Sequence, residues 1–332
     1  MLKSLVKNSL FILACTLFVA CGKSTEEEVK DAVLSANILL SRKECQPAID
    51  LLEGMGRQNK NAYYLKALSS AYACRAGYST ITFFADDISK TASPSPLGGM
   101  STYSTSTTPS SGALANETKF KDLQTAIDIL LYAGGISSTT EPTASERLKY
   151  FSGNTAGDIN AQLAYMMLVQ TGRMMKVYAN ASASGVKGAG TSGTNSCFTD
   201  YSSTPAGIQG YVTTGGAGTG ATGACTSLSS SSTDLATGAT NRRARLCQGV
   251  VLLNAIIDVL PSVIANAGGG DLDDIANMTS DIEGYKDDLV TLYPAIGTTA
   301  TVLSQKNCET DSSITVDTLA SYYAVIFEGL IH

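Results

Sequence analysis

The chain has 332 residues, with 23 Lys plus Arg against 29 Asp plus Glu and a formal net charge of −6, which leaves room for one large or two ordinary domains. Phosphate binding rests on clustered Lys and Arg, so a chain this acidic is expected to bind no nucleic acid. Its only histidine is His332 and it has no tryptophan, which excludes Ser-His-Asp and Cys-His nucleophiles, His general bases and His-based metal sites, and leaves the expectation of a non-enzymatic protein without a cofactor.

Lys3 and Lys7 precede an apolar run, LFILACTLFVA from Leu10 to Ala20, and then Cys21. A basic start, an apolar stretch and a small residue before a cut are the marks of an export signal. The run is shorter than the roughly 20 apolar residues a spanning helix needs. FVAC, Phe18 to Cys21, resembles the lipobox of bacterial lipoproteins, in which the cysteine is thioether-linked to diacylglycerol and becomes the mature N-terminus. ILAC, Ile12 to Cys15, is a competing site, but cutting there leaves seven further cysteines, whereas cutting before Cys21 leaves an even six. The resemblance therefore implies a signal over residues 1–20 and a lipid anchor on Cys21. Gly22, where aspartate would mark inner-membrane retention, implies the outer membrane, with the protein facing the periplasm. The processed chain carries a net charge of −8.

The remaining cysteines are Cys45, Cys74, Cys197, Cys225, Cys247 and Cys308. Export places them in an oxidising compartment, so three disulfides are expected. None of the spacings is C-x-x-C, which removes zinc-ribbon and thioredoxin-like readings.

From Ser24 to about Lys90 the pattern is helical. Thr25 and Glu28 have capping-box spacing, and Ala32, Val33, Ala36, Leu39 and Leu40 recur at helical intervals. Pro47 suits the first turn of a second helix. A third helix ends at Gly77, and YSTITFFADDISK makes a fourth. Residues 21–90 resemble tetratricopeptide repeats. Leu65, Leu68, Ser69 and Tyr72 stand where that family has Trp, Leu, Gly and Tyr, and Ile81 and Ala85 stand where it has Ala and Phe. Ala36, Leu39, Ala48 and Leu52 fit the first repeat in the same way. That register implies that Cys45 pairs with Cys74. A plain antiparallel bundle explains the same periodicity.

Residues 91–117, rich in Ser, Thr and Pro, read as a flexible loop. Helices return with Phe120, Leu123, Ile127, Leu130 and Leu131, then at Thr143–Glu146 with capping-box spacing, and from Asp158 to Ala179. Residues 180–240 read as a Gly/Ser/Thr-rich insertion stapled by Cys197 and Cys225, with a small hairpin. Leu246 to Gly268 is apolar nearly all round and reads as the buried central helix, kinked or broken at Pro261. Two further helical stretches complete a bundle spanning 118–332, in which Cys247 and Cys308 are placed to tie the last elements together.

Four motifs are weighed and set aside. Gly218, Gly220 and Gly223 satisfy G-x-G-x-x-G, but within low complexity and with no strand before them. Ser184 and Lys187 form S-x-x-K without its partner motifs. DLDDIANMTSDIE, from Asp271, has Ala276 and Ile282 where a calcium loop needs Gly and Glu. RRAR, Arg242 to Arg245, reads as a solvated helix terminus. Met166, Met167, Met174 and Met175 read as core filling. The expectation is an all-α helical bundle with TPR-like hairpins, acting as a lipid-anchored scaffold or binding module for a partner protein. The alternatives are a surface-exposed lipoprotein and a carrier of a small apolar ligand or lipid near Met166 and Val251.

Overall fold

The computed structural model describes residues 25–92, 95–109, 113–192, 195–214, 225, 227–267 and 273–331. Cys21 and the Gly218–Gly223 motif lie outside the described residues. The described chain is almost wholly helical, with a single two-residue strand pair.

The first hairpin is α1 (Thr25–Ser41) with α2 (Cys45–Gly54), followed by α3 (Ala62–Arg75). Asn61 caps α3 by accepting the Tyr64 N–H at 3.0 Å. Gly77 ends that stretch at φ +83°, a conformation only glycine adopts cheaply. Ala36, Ala48, Leu52, Leu65, Leu68 and Ser69 are all buried. The Ser69 hydroxyl donates to the Ala126 carbonyl at 2.8 Å across the next helix contact. Cys45 is joined to Cys74 with Cα atoms 5.6 Å apart.

The fourth helical stretch departs from the repeat register. After Thr80–Thr82 it widens into a π turn, Phe83–Asp87, and then tightens into a 3-10 turn, Ile88–Ala92. The π turn sets Phe83 and Ile88, five residues apart, on one buried face, while Ile81 is 82% exposed and Ala85 is exposed. The repeat positions expected at Ile81 and Ala85 are therefore not core positions.

Residues 95–109, expected as a loop, are packed. Ser95 caps a short helix α4 (Pro96–Met100), and Leu97, Met100 and Tyr103 are buried. The glycines in this polar-looking segment serve close approach rather than slack. A Cβ on Gly99 would lie 2.0 Å from the Lys90 carbonyl oxygen. Helix α5 (Thr118–Leu131) packs on α3, where Arg75 grips Asp122 through two N–H donors at 2.7 and 2.8 Å. Helix α6 (Gly153–Tyr178) runs through the centre, with all four of its methionines buried as core filling.

The described residues within 180–240 are largely folded into the body instead of projecting from it. Strands β1 (Ser196–Cys197) and β2 (Ser227–Leu228) pair in parallel, so the expected hairpin is absent there, and helix α7 (Ala206–Thr214) lies between them in sequence. Phe198, Tyr201, Ile208 and Leu235 are buried and draw the segment onto the core. Cys197 is joined to Cys225.

Helix α8 (Arg242–Ala267) continues unbroken through Pro261. Its Arg242–Ile264 stretch is long and apolar enough to cross a membrane, yet 78% of that window is buried against the rest of the protein. Gly249 lets it press on the C-terminal turn: a Cβ there would meet the Tyr323 hydroxyl at 1.9 Å. Of the arginines at its start, Arg243 and Arg245 are half-buried and Arg242 is not solvated. Arg242 is buried and donates to the carbonyls of Leu235 and Asp200, while Arg243 donates to those of Cys308 and Asp311. Each satisfies orphaned loop carbonyls, which overrides the pull of water on the charge. Helices α9 (Asp273–Leu292), α10 (Gln305–Thr310) and α11 (Val316–Tyr322) follow, then a π turn, Tyr323–Phe327. Cys247 in α8 is joined to Cys308 in α10.

Candidate functional site

Chemistry at the Cys197–Cys225 staple is ruled out by its bonding. Potential ligand atoms of Cys197, Cys225 and Glu328 lie within 4.8 Å of one another. The sulfurs, however, are bonded to each other, and both Glu328 oxygens are engaged. Oε2 pairs with the Lys187 ammonium, and Oε1 accepts from the Tyr201 hydroxyl at 2.6 Å and the Phe198 N–H at 2.9 Å. Lys187, the lysine of the S-x-x-K pattern, is thereby a buried structural cation, while Ser184 bonds Ser182. Helix α9 begins inside the acidic run at Asp273.

A concavity of 400 Å³ lies at this staple, lined by Cys197, Asp200, Tyr201, Gln209 and Val212, and two more lie elsewhere among the described residues. The first is a groove of 420 Å³ between α1 and the start of α3, lined by Glu26, Val29, Lys30, Val33, Leu34, Asn37, Asn61 and Tyr63. Leu34 is 62% and Tyr63 77% exposed, and Ile38, one turn beyond Leu34, is 47% exposed. An apolar stripe left in water at i and i+4 spacing is the mark of an interaction face.

The second is a cleft of 190 Å³ where α5, α6, α8 and α10 meet. Its apolar wall is Ile127, Leu131, Met167, Val251, Leu252 and Ala255. Gln124, Asp128, Tyr132, Arg245, Gln248, Gln305 and Glu309 supply the polar side. Several of these amides are tied to one another. Gln248 donates to Gln124 at 3.1 Å, Gln305 donates to Glu309 at 2.6 Å, and Arg245 donates to Gln248 at 3.1 Å.

Asp128 is exposed at the cleft mouth, and its side chain accepts from Gln124 Nε2 at 3.0 Å. Neighbouring protein mass displaces part of its hydration and pushes its carboxyl up, to about 6, against the Gln124 donor. Tyr132 is pushed up as well, first by burial. Among the described residues no ion-pair partner meets Asp128, Arg245 or Glu309.

The raised Asp128 carboxyl has a stability consequence. Its folded value of about 6 exceeds the ordinary 3.8. The folded state therefore holds the extra proton between those values, and stability falls as pH rises through that window and stays lower above it. Asp128→Asn is expected to raise the melting temperature at about pH 7.5 and to leave it unchanged near pH 3.5. An equal gain at both pH values would mean that charge is not the cause.

Comparison with protein-family models, with curated proteins and with solved structures returned no match. The cleft residues were not singled out by the sequence, because Asp128, Arg245 and Glu309 come from separate helices with no shared motif. Only the nearby Met166 and Val251 had been marked as a place for a ligand.

Proposed function

We propose that this is a lipid-anchored, non-enzymatic binding module of the cell envelope, which takes an amphipathic helical segment of a partner protein in the groove between α1 and α3. The observation that carries this reading is that exposed Leu34 and Tyr63 line one preformed groove, with Ile38 exposed one turn beyond Leu34. Helical recognition works by apolar anchors at such spacing, laid in a groove with polar groups at its margin. Thr25 stands four residues after Cys21, so a lipid on Cys21 would hold the start of α1 within about 14 Å of the attachment point, with Leu34 about 14 Å farther along the helix. Multiple acyl chains would make that attachment lasting.

The test is photo-crosslinking from positions 34 and 63 of the full chain in its native envelope, with position 148 as an exposed control. One protein adduct, shared by 34 and 63, missing at 148 and reduced when Cys21→Ala releases the chain from the membrane, is the expected result. The same adducts from all three positions, or none at 34 and 63, would overturn the proposal.

The cleft between α5 and α8 favours a second reading, a carrier of a small ligand. It combines an apolar wall with convergent polar groups, as small-molecule sites do.

A further inference from the structure

We infer that Lys187 and Glu328 condense to an isopeptide bond, a permanent tie between the segment before β1 and the C-terminal end of the chain. The contacts that keep Glu328 from a metal arrange it for this reaction.

The two reactants are held together and dry. Lys187 Nζ touches Glu328 Oε2, and the two side chains are 3% and 5% exposed. Phe198, whose N–H reaches Glu328, and Phe327, next to Glu328 in sequence, are buried with ring centroids 5.4 Å apart. In open water a carboxylate and an ammonium are each held as ions by hydration, which this site has removed. The ammonium has Glu328 as its one acceptor among the described residues, so two of its three donors are unused. A buried ion pair is well stabilised only when its remaining protons are also bonded. Passing one proton from Nζ to Oε2 relieves that deficit and leaves a neutral amine against a neutral acid. Reactants kept in contact in this way act at effective concentrations of about 10⁵–10⁸ M.

The two carboxyl oxygens are unequal in the way the reaction needs. Oε1 accepts from the Tyr201 hydroxyl at 2.6 Å and the Phe198 N–H at 2.9 Å, a pair of donors for the oxyanion that develops when Nζ attacks Cδ. Burial, and then the charge of Glu328, hold the Tyr201 hydroxyl protonated as that donor. Oε2 is bonded by Lys187 alone among the described residues, so no other group retains it. The Nζ–Cδ bond forms, the Cδ–Oε2 bond breaks, and two protons of the original ammonium leave with Oε2 as water. The third stays as the amide N–H, and the net charge is zero before and after. The product keeps Oε1 on its two donors and removes both buried charges. The ion pair is the reactant, so the stability of the unjoined chain is that of the pair.

Mass spectrometry of the full chain, denatured, reduced and digested with trypsin, tests this. Lys187 and Glu328 are expected on one branched peptide that weighs one water less than its two arms and that no thiol reagent opens. Lys187→Arg keeps the charge but removes the nucleophile, because the guanidinium stays protonated, and should abolish the branched peptide. Tyr201→Phe removes one of the two oxyanion donors and should slow joining, followed after a pulse of synthesis, by about 10²–10³-fold. The melting curve of each variant checks that it is folded. A chain that trypsin cuts after Lys187, with Glu328 on an unbranched peptide of full mass, would overturn the inference and leave a plain ion pair. An undiminished rate in folded Tyr201→Phe would overturn the oxyanion assignment.

Discussion

Lys187→Met is expected to cost the folded state about 3–5 kcal/mol, the penalty for stranding the other member of a buried ion pair. The Lys187 and Glu328 side chains are only 3% and 5% exposed. With the ammonium gone, Glu328 would keep the Tyr201 and Phe198 donors on Oε1 but would leave Oε2 charged and unpaired. The damage should fall where three separated pieces of chain meet: the turn before β1, β1 itself and the C-terminal helix end. Adding Glu328→Gln to Lys187→Met should restore part of the loss, because a neutral pair of similar shape carries no stranded charge. Urea unfolding of the two single variants and the double variant measures the coupling. A loss below about 1 kcal/mol for Lys187→Met would show that the pair is hydrated in solution.

The second large effect concerns the Cys247–Cys308 bond. It closes a loop with a sequence separation of 61, and the chain-entropy account assigns such a crosslink about 4 kcal/mol. Cys247→Ala with Cys308→Ala is expected to lose about that much in urea unfolding. The loss should be felt first at α10, a helix of 6 residues that cannot hold itself. Unchanged stability after removal of both sulfurs would mean that the Arg243 bonds to the Cys308 and Asp311 carbonyls hold α10 without the crosslink.

Much of the helical framework was legible because its signals are local. Apolar spacing marked α1, α5 and α6, Asn61 and Gly77 bracket α3, and the Leu246–Gly268 run marked the helix buried at the centre. What escaped depends on partners distant in the chain. The shared inward face of Phe83 and Ile88 depends on one extra residue in a π turn, which periodicity counted at 3.6 cannot register. Residues 95–109 look like a linker by composition, yet Gly99 fits the backbone at Lys90 and Gly172 of α6 lies against the Met100 carbonyl, so small residues there mean tight packing. Arg242 and Arg243 looked solvated because the carbonyls they bind belong to other segments. Asp128 carried no signal either, since its unusual carboxyl depends on the mass of α8 and α10 closing around it.

The three crosslinks share a topology: Cys45 with Cys74, Cys197 with Cys225, Cys247 with Cys308. Every cysteine after Cys21 is bonded to its immediate neighbour in the sequence, and no disulfide encloses or crosses another. A chain threaded N-terminus first into an oxidising compartment would thus present its thiols already in native pairs. An oxidant that simply joins each new thiol to the last one left free would reach the correct connectivity without later shuffling. Maturation of this protein would then demand a donor of disulfides and no proofreader of them.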